Sequence, residues 1–414
     1  QEVLFEAVVS AVPPGAGTPT GSVTLITSRG DSVVLPLDAN GVARFTDATF
    51  PAGSYTADAF YSGDANFAPS SGADTHVVDR AATTTVITVT PTPSVFGEEI
   101  LLRTVVTAVS PGAGVPTGTV VLTEPSGVFF TAELDEFGVA EVRTTELAVG
   151  SYSGTSAYQG DANFLPSSGA GTHVVNPADT TTTVTSTPDP TVFGQPTTFS
   201  ATVAPVAPGG GTPTGQVTFT IDGTITLTGT LVGGTATVTD STLPVGPHTI
   251  SATYSGTGDA GFNSSTGTDT HQVDQAGTTT TVSSGPDPSS VGQPVVFTAA
   301  VTANAPGAGT PTGTVTFTIT GHGTTTVPVD AGGTATLPVN TLPAGTQTAT
   351  ATYNGDTNYT PSTGTDTQQV LAALTTTTVT SSPDPSALGS PVTIQATVTT
   401  NPPATGTPTG SVTF

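Results

Sequence analysis

From residue 178 to residue 275 apolar and polar residues alternate in short runs, the period of a strand with one face turned to a core. Thr180–Val184 opens the segment as a Thr-rich strand that stops at Pro188-Asp189-Pro190. Phe199, Ala201 and Val203 then share one face, and Pro208–Gly211 makes a loop. Val217, Phe219 and Ile221 follow, then Ile225 with Leu227 and Ala236 with Val238 on either side of a turn at Gly233-Gly234. Ile250, Ala252 and Tyr254 alternate next, and a last strand ends at His271-Gln272-Val273. The pattern predicts about seven short strands with turn signals every ~8–12 residues.

The same pattern recurs along the whole chain. Pro-Thr-Gly begins at Pro19, Pro116, Pro213, Pro311 and Pro408, spacings of 97, 97, 98 and 97. Tyr61-Ser-Gly-Asp-Ala-Asn-Phe67 returns as Tyr158-Gln-Gly-Asp-Ala-Asn-Phe164 and Tyr353-Asn-Gly-Asp-Thr-Asn-Tyr359, with a longer third copy at Tyr254–Phe262. Pro-x-Pro followed by glycine marks Pro91, Pro188, Pro286 and Pro383, with Gly97, Gly194, Gly292 and Gly389. A central turn glycine recurs at Gly41, Gly138, Gly234 and Gly333. A period this long is a domain with its own core, not a solenoid turn of roughly 20–50 residues. The boundaries read as 1–80 (lacking its first strand), 81–177, 178–275, 276–372 and 373–414. Linkers such as Asp79-Arg80-Ala81 and Asp274-Gln275-Ala276 are short enough that neighbouring domains should touch, which predicts a rod.

Strands in this number and order read as an immunoglobulin-like β-sandwich, all-β. The Thr-Thr-Thr-Thr-Val opening, Pro-Thr-Gly-x-Val-Thr-Phe, Leu-Pro-Ala-Gly and Tyr-x-Gly-Asp-x-Asn-Phe resemble the bacterial Ig-like repeats of long surface proteins, adhesins and fibres. The resemblance covers every full period and implies a bacterial, cell-surface protein. The cysteine pair and strand-C tryptophan of antibody domains are missing. Tyr55 and Tyr152 suit a tyrosine corner, whereas His248 and Gln347 occupy that place in the next two copies, so the feature reads as lost there.

Composition narrows the chemistry. The 414 residues include 92 Thr, 49 Gly and 36 Pro, favouring strand over helix. Five arginines, no lysine and 30 acidic residues give a net charge of −25. That leaves little with which to neutralise phosphate, which argues against nucleic acid and anionic membrane as partners. No apolar run approaches the ~18–20 residues of a membrane-spanning helix. With no Cys there is no disulfide or thiolate nucleophile, and with no Lys no isopeptide staple. The absence of Cys and Met leaves little to oxidise outside a cell.

The candidate site is the Gly-Asp-x-Asn-aromatic loop. Asp64 with Asn66, Asp161 with Asn163, and Asp356 with Asn358 place oxygens two residues apart, donors that suit calcium. The competing reading is a turn in which Asp and Asn bond their own backbone. Asp259 followed by Gly261 in the third copy favours the turn, and no cofactor is expected. His76, His173 and His271, with Gln368 in the fourth copy, share one slot and read as exposed strand residues. The Pro-Gly-Ala-Gly loops at Pro14, Pro111 and Pro306 lack a following Gly-Lys-[Ser/Thr] and read as surface loops rather than phosphate cradles. No Gly-x-Ser-x-Gly or His-Glu-x-x-His motif occurs, so no catalysis is expected. Val128-Phe129-Phe130 and Phe137 stand where other copies carry Thr and Gly. Strict alternation turns either Phe129 or Phe130 outward, a lateral contact.

The reading is a non-enzymatic extracellular structural protein, a fibre, stalk or adhesin shaft. Its partners would be copies of itself or neighbouring repeats. The rival is an adhesin segment, or phage surface module, that binds surface glycans or other cell-surface components. Gln1–Phe5 aligns with Gln195–Phe199 and the chain stops at Ser411–Phe414, both inside a repeat. The expectation is a window on a longer chain, the alternative being terminal strands that complete a neighbouring copy.

Overall fold

A computed structural model describes residues 1–124 and 127–414. Among them there is no helix, and hence none long and apolar enough to cross a membrane. The chain resolves into two compact units. The first holds Gln1–Asp179 with the loops Pro205–Thr212 and Asp259–Asn263; the second holds Thr180–Ala204, Pro213–Gly258 and Ser264–Phe414.

In the second unit the repeat ending at Leu371 shows the architecture in full. A three-stranded sheet runs Thr278–Gly285, Val295–Ala303, Thr334–Val339. A five-stranded sheet runs Ser289–Ser290, Ser362–Leu371, Gly345–Tyr353, Thr314–Ile319, Gly323–Pro328. Every pairing is antiparallel except the short Ser289–Ser290, which runs parallel to Val370 and Leu371. That two-residue strand is an eighth element beyond the expected seven. Pro286-Asp287-Pro288 ends the first strand by withholding ladder donors, and the chain re-pairs on the opposite sheet. Phe297, Phe317, Ile319, Ala349 and Tyr353 meet between the sheets. Each phenyl ring removed from water there stabilises by about 2–3 kcal/mol.

The preceding sandwich in this unit repeats the plan. Its alternating residues Phe199, Ala201, Val217, Phe219, Ile221, Ile250 and Ala252 are all fully buried, as the pattern predicts. Among the described residues Thr375–Ser382 pairs only with Thr393–Thr400.

The first unit contains one sandwich of the same three-plus-five form, from Thr83–Thr90 to Ser167–Asn176. Before it lie a two-stranded sheet (Val3–Val8 with Val42–Asp47) and a four-stranded one (Ser32–Pro36, Ser22–Thr27, Gly53–Tyr61, Ser70–Val78). The central turn needs its glycine: Gly41, Gly138 and Gly333 have φ of +78°, +72° and +79°. A Cβ there would also press on the carbonyls of Val9, Val106 and Val301.

Candidate functional site: the loop pole and the joint it forms

The Gly-Asp-x-Asn-aromatic loop closes one pole of each sandwich, and its aspartate ties that pole together. Asp161 Oδ1 accepts the amides of Asn163 (2.7 Å) and Phe164 (2.8 Å). Its Oδ2 accepts the amide (2.9 Å) and hydroxyl (2.7 Å) of Thr117, from the Pro-Thr-Gly motif. Asp64 and Asp356 make the same four bonds, with Thr20 and Thr312 as the distant partners. The Asn66 amide, followed by those from Thr20, holds the Asp64 carboxyl well below the usual range. At Asp161 and Asp356 burial pushes the pKa up, but the threonine and loop donors outweigh it and both end lowered. Asp259 Oδ1 takes the Gly261 amide at 3.2 Å in the third copy. Both oxygens of Asp64, Asp161 and Asp356 are therefore engaged by protein donors. Among the described residues no group of three or more His, Asp or Glu is placed to hold a metal ion.

The same loop receives the start of its own repeat. The Ala81 and Ala276 amides donate to the carbonyls of Asn163 (2.8 Å) and Asn358 (2.9 Å), and the Ala178 amide to that of Gly261 (2.9 Å). Each alanine methyl lies where a Cβ on Gly112, Gly209 or Gly307 would collide with it, at 2.5–2.6 Å. These glycines belong to the Pro-Gly-x-Gly loops, so those loops are shaped by close backbone packing. Ala81, Ala178 and Ala276, each the third residue of a short linker, are thus already paired.

What packs on the outside of this pole is the residue before the recurring Pro-x-Pro glycine. In the first unit the Phe96 ring meets the edge of Phe262 at 5.3 Å, and the Phe96 carbonyl accepts the Gly210 amide at 3.1 Å. In the second unit Phe193 meets Tyr359 at 5.5 Å, and its carbonyl accepts the Ala308 amide at 3.3 Å. Val291 repeats the bond to Thr405, also at 3.3 Å. A Cβ on Gly97 or Gly194 would lie 2.5 Å from the Gly210 or Ala308 carbonyl oxygen, so only glycine admits the facing loop. Elsewhere in the first unit, Asn163 Oδ1 accepts the Ala52 amide at 2.9 Å. The sequence marked these glycines, but not the apolar residue just before each. Its recurrence at the same spacing was the available signal.

Two sequence readings are corrected. The histidine slot is buried in three copies, with His173 and His271 4% and 2% accessible and Gln368 0%, whereas His76 is exposed as expected; Val77 and Val174 face outward. His173 Nε2 lies 2.9 Å from Ser94 Oγ and His271 Nε2 2.7 Å from Thr191 Oγ1, both on the short strand that follows Pro-x-Pro. Burial lowers the pKa of both imidazoles. The corner, in turn, is kept in all four copies. Tyr55 and Tyr152 hydroxyls donate to the Pro51 and Ala148 carbonyls, and Gln347 Nε2 donates to Pro343 O at 2.9 Å. His248 Nε2 reaches Pro244 O at 2.7 Å, and its Nδ1 reaches Asp222 Oδ2 at 2.7 Å. What recurs is a donor to the carbonyl four residues upstream, whatever residue supplies it.

One of Phe129 and Phe130 is exposed, as expected, but at a bulge rather than in a regular ladder. Leu122 pairs with Phe130 and Thr123 with Val128, leaving Phe129 as the extra residue of a β-bulge. Phe130 packs on Ile100, Leu102 and Leu122, and Phe129, 38% exposed, stands over that same core end with the rings 5.7 Å apart. The side chain of Val128 lies outside the described residues.

No curated protein sequence matches the chain. Among solved structures, Salmonella alpha-2-macroglobulin reacted with methylamine aligns at 11% identity and TM-score 0.19, over 92% of this chain and 39% of that one. The chain therefore spans about two fifths of that protein's length. Titin domains A168-A170 align at 11% identity and TM-score 0.31, over 70% of this chain and 99% of theirs. The model of the bacterial Ig-like domain (group 3) matches residues 1–79, 87–176, 184–274 and 281–372. Four tandem matches over nearly all of the chain place it in the bacterial Ig-like domain (group 3) family.

Proposed function

We infer that this chain is a non-enzymatic structural module of a bacterial cell surface, the shaft of a fibre, stalk or adhesin. The observation that carries the reading is the repeated joint. The carbonyls of Phe96, Phe193 and Val291 accept amides from Gly210, Ala308 and Thr405 by the same geometry. The motifs that repeat most faithfully (Pro-Thr-Gly, Pro-Gly-x-Gly, Gly-Asp-x-Asn) build the pole on which that joint sits. A chain whose recurring residues go into joints is suited to setting distance, and its net charge of −25 keeps neighbouring shafts apart. Electron microscopy of the native material, with immunolabelling of intact cells, tests this. Evenly spaced domains projecting from labelled cells are expected; label confined to the cell interior would overturn the reading.

A second reading, an adhesin segment that binds surface glycans, draws on Phe137, which is 71% exposed in the turn before Gly138. Phe137→Ser is expected to abolish glycan retention and leave assembly intact if that reading holds; unchanged retention removes it.

A further inference from the structure

Ile225–Thr230 is the last strand of its five-stranded sheet and pairs, among the described residues, only with Gln216–Ile221. The Leu231 amide donates to the Gly215 carbonyl at 2.9 Å, one step beyond the pair Gln216 and Thr230. Hydrogen-bonded pairs of an antiparallel ladder recur at every second residue, so Gly229, Leu227 and Ile225 bond inward. The amides and carbonyls of Thr226, Thr228 and Thr230 therefore point away from the sheet. Native sheets guard such an edge with proline, charge or a bulge. The same strand in the other three copies is guarded. Pro36 and Pro328 stand at the register of Thr230, facing Ser22 and Thr314, and withhold the outward donor. Glu133 stands there in the second copy, on the strand that carries the bulge at Phe129. Ile225–Thr230 has no proline, charge or bulge. The neighbouring edge of the opposite sheet follows suit. Arg44, Glu141 with Arg143, and Pro338 lie on it in the other copies, whereas Thr235–Asp240 holds no proline and one charge, Asp240 at its end.

We propose that this edge pairs with the same edge of a second copy of the chain, antiparallel about a two-fold axis at Thr228. Thr228 then faces Thr228 of the partner subunit, and Thr226 of each copy faces Thr230 of the partner subunit. These three pairs exchange two N–H···O bonds each, and proline at the Thr230 register would remove two of the six. A second copy is the occupant because the strand is its own complement: its outward residues are all threonine, read in either direction. Threonine against threonine is a favourable cross-strand pair. Ile225, 36% exposed, comes beside Leu231 of the partner subunit and is drawn out of water. Charge does not oppose the contact locally. Asp222 and Asp240 are the acidic residues of 213–240, and Asp222 Oδ2 lies 2.7 Å from His248 Nδ1. The contact is isologous, so it joins two chains and closes. It goes beyond the shaft reading and does not depend on it.

Sedimentation of the intact chain tests it. A concentration-dependent dimer is expected, tightened by salt, which screens the net charge of −25 on each chain. Thr230→Pro copies what Pro36 and Pro328 already do at that register, so the thermal midpoint should hold. The dimer should weaken at least roughly tenfold for its two lost bonds. With no cysteine in the chain, single cysteines locate the axis. Thr228→Cys should form an intermolecular disulfide on mild oxidation at least roughly tenfold faster than Thr326→Cys, its counterpart on the strand that ends at Pro328. An edge that accepts only a foreign strand would leave the chain monomeric at every concentration. That result, a dimer indifferent to Thr230→Pro, or equal oxidation of the two cysteine variants would each overturn the proposal.

Discussion

Gly364 and Gly72 hold the same place on the last strand of two sandwiches, but their surroundings differ. A Cβ on Gly364 would overlap the Thr280 carbonyl, whereas nothing lies within 4 Å of one on Gly72. Neither glycine falls among those with left-handed φ, so backbone conformation does not require them. What fixes glycine at this position is a strand crossing close above it. At Gly364 the residue is a packing requirement set by that strand.

The largest expected effect exploits that contrast. Gly364→Ala should destabilise its sandwich by about 3 kcal/mol through overpacking against backbone, and Gly72→Ala by close to nothing. Denaturant unfolding of the two variants measures the difference directly, and equal costs would break the comparison. Next in size is the pole. Asp161→Ala strands three amides and a hydroxyl and should cost about 2 kcal/mol.

The pole also carries a pH dependence. Because the Asp161 and Asp356 pKa values are depressed in the fold, their contribution is complete above the unfolded carboxylate value of about 4. It is lost as pH falls below that value and through the folded one. Thermal midpoints followed from pH 6 to pH 2 should drop over that window, and drop less steeply in Asp161→Asn. Calcium should leave the midpoint unchanged, since the carboxylate oxygens already have donors. The smallest effect lies at the corner: Gln347→Ala removes one bond to Pro343 and should cost about 1 kcal/mol, restored by Gln347→Tyr.

Much of this was legible in the sequence. The alternation at Phe199–Val203, Val217–Ile221 and Ile250–Tyr254 carried the core, because large apolar residues faced small polar ones at period two. The slot of His173 and His271 reads as exposed because the inward residues before it are Ser167, Gly169 and Gly171, or Ser265, Gly267 and Asp269, packed against a backbone rather than against hydrocarbon. Alternation there gives no sign of which face is buried. The corner seemed lost at His248 and Gln347 because side-chain identity changed while the donated hydrogen bond did not. The bulge at Phe129 adds one residue to the ladder, and no period-two reading anticipates that. Phe96 and Phe193 were missed for a related reason. An apolar residue beside a turn glycine looks like part of its own core until the facing loop is in place.

The central claim is that the loop pole of one repeat is the seat for the aromatic of another. A double-mutant cycle on Phe193→Ala and Tyr359→Ala, read by denaturant unfolding of the intact chain, tests it most directly. With the rings 5.5 Å apart and edge-on, a coupling energy of about 1 kcal/mol is predicted. Strictly additive costs, with no coupling between the two, would contradict the joint.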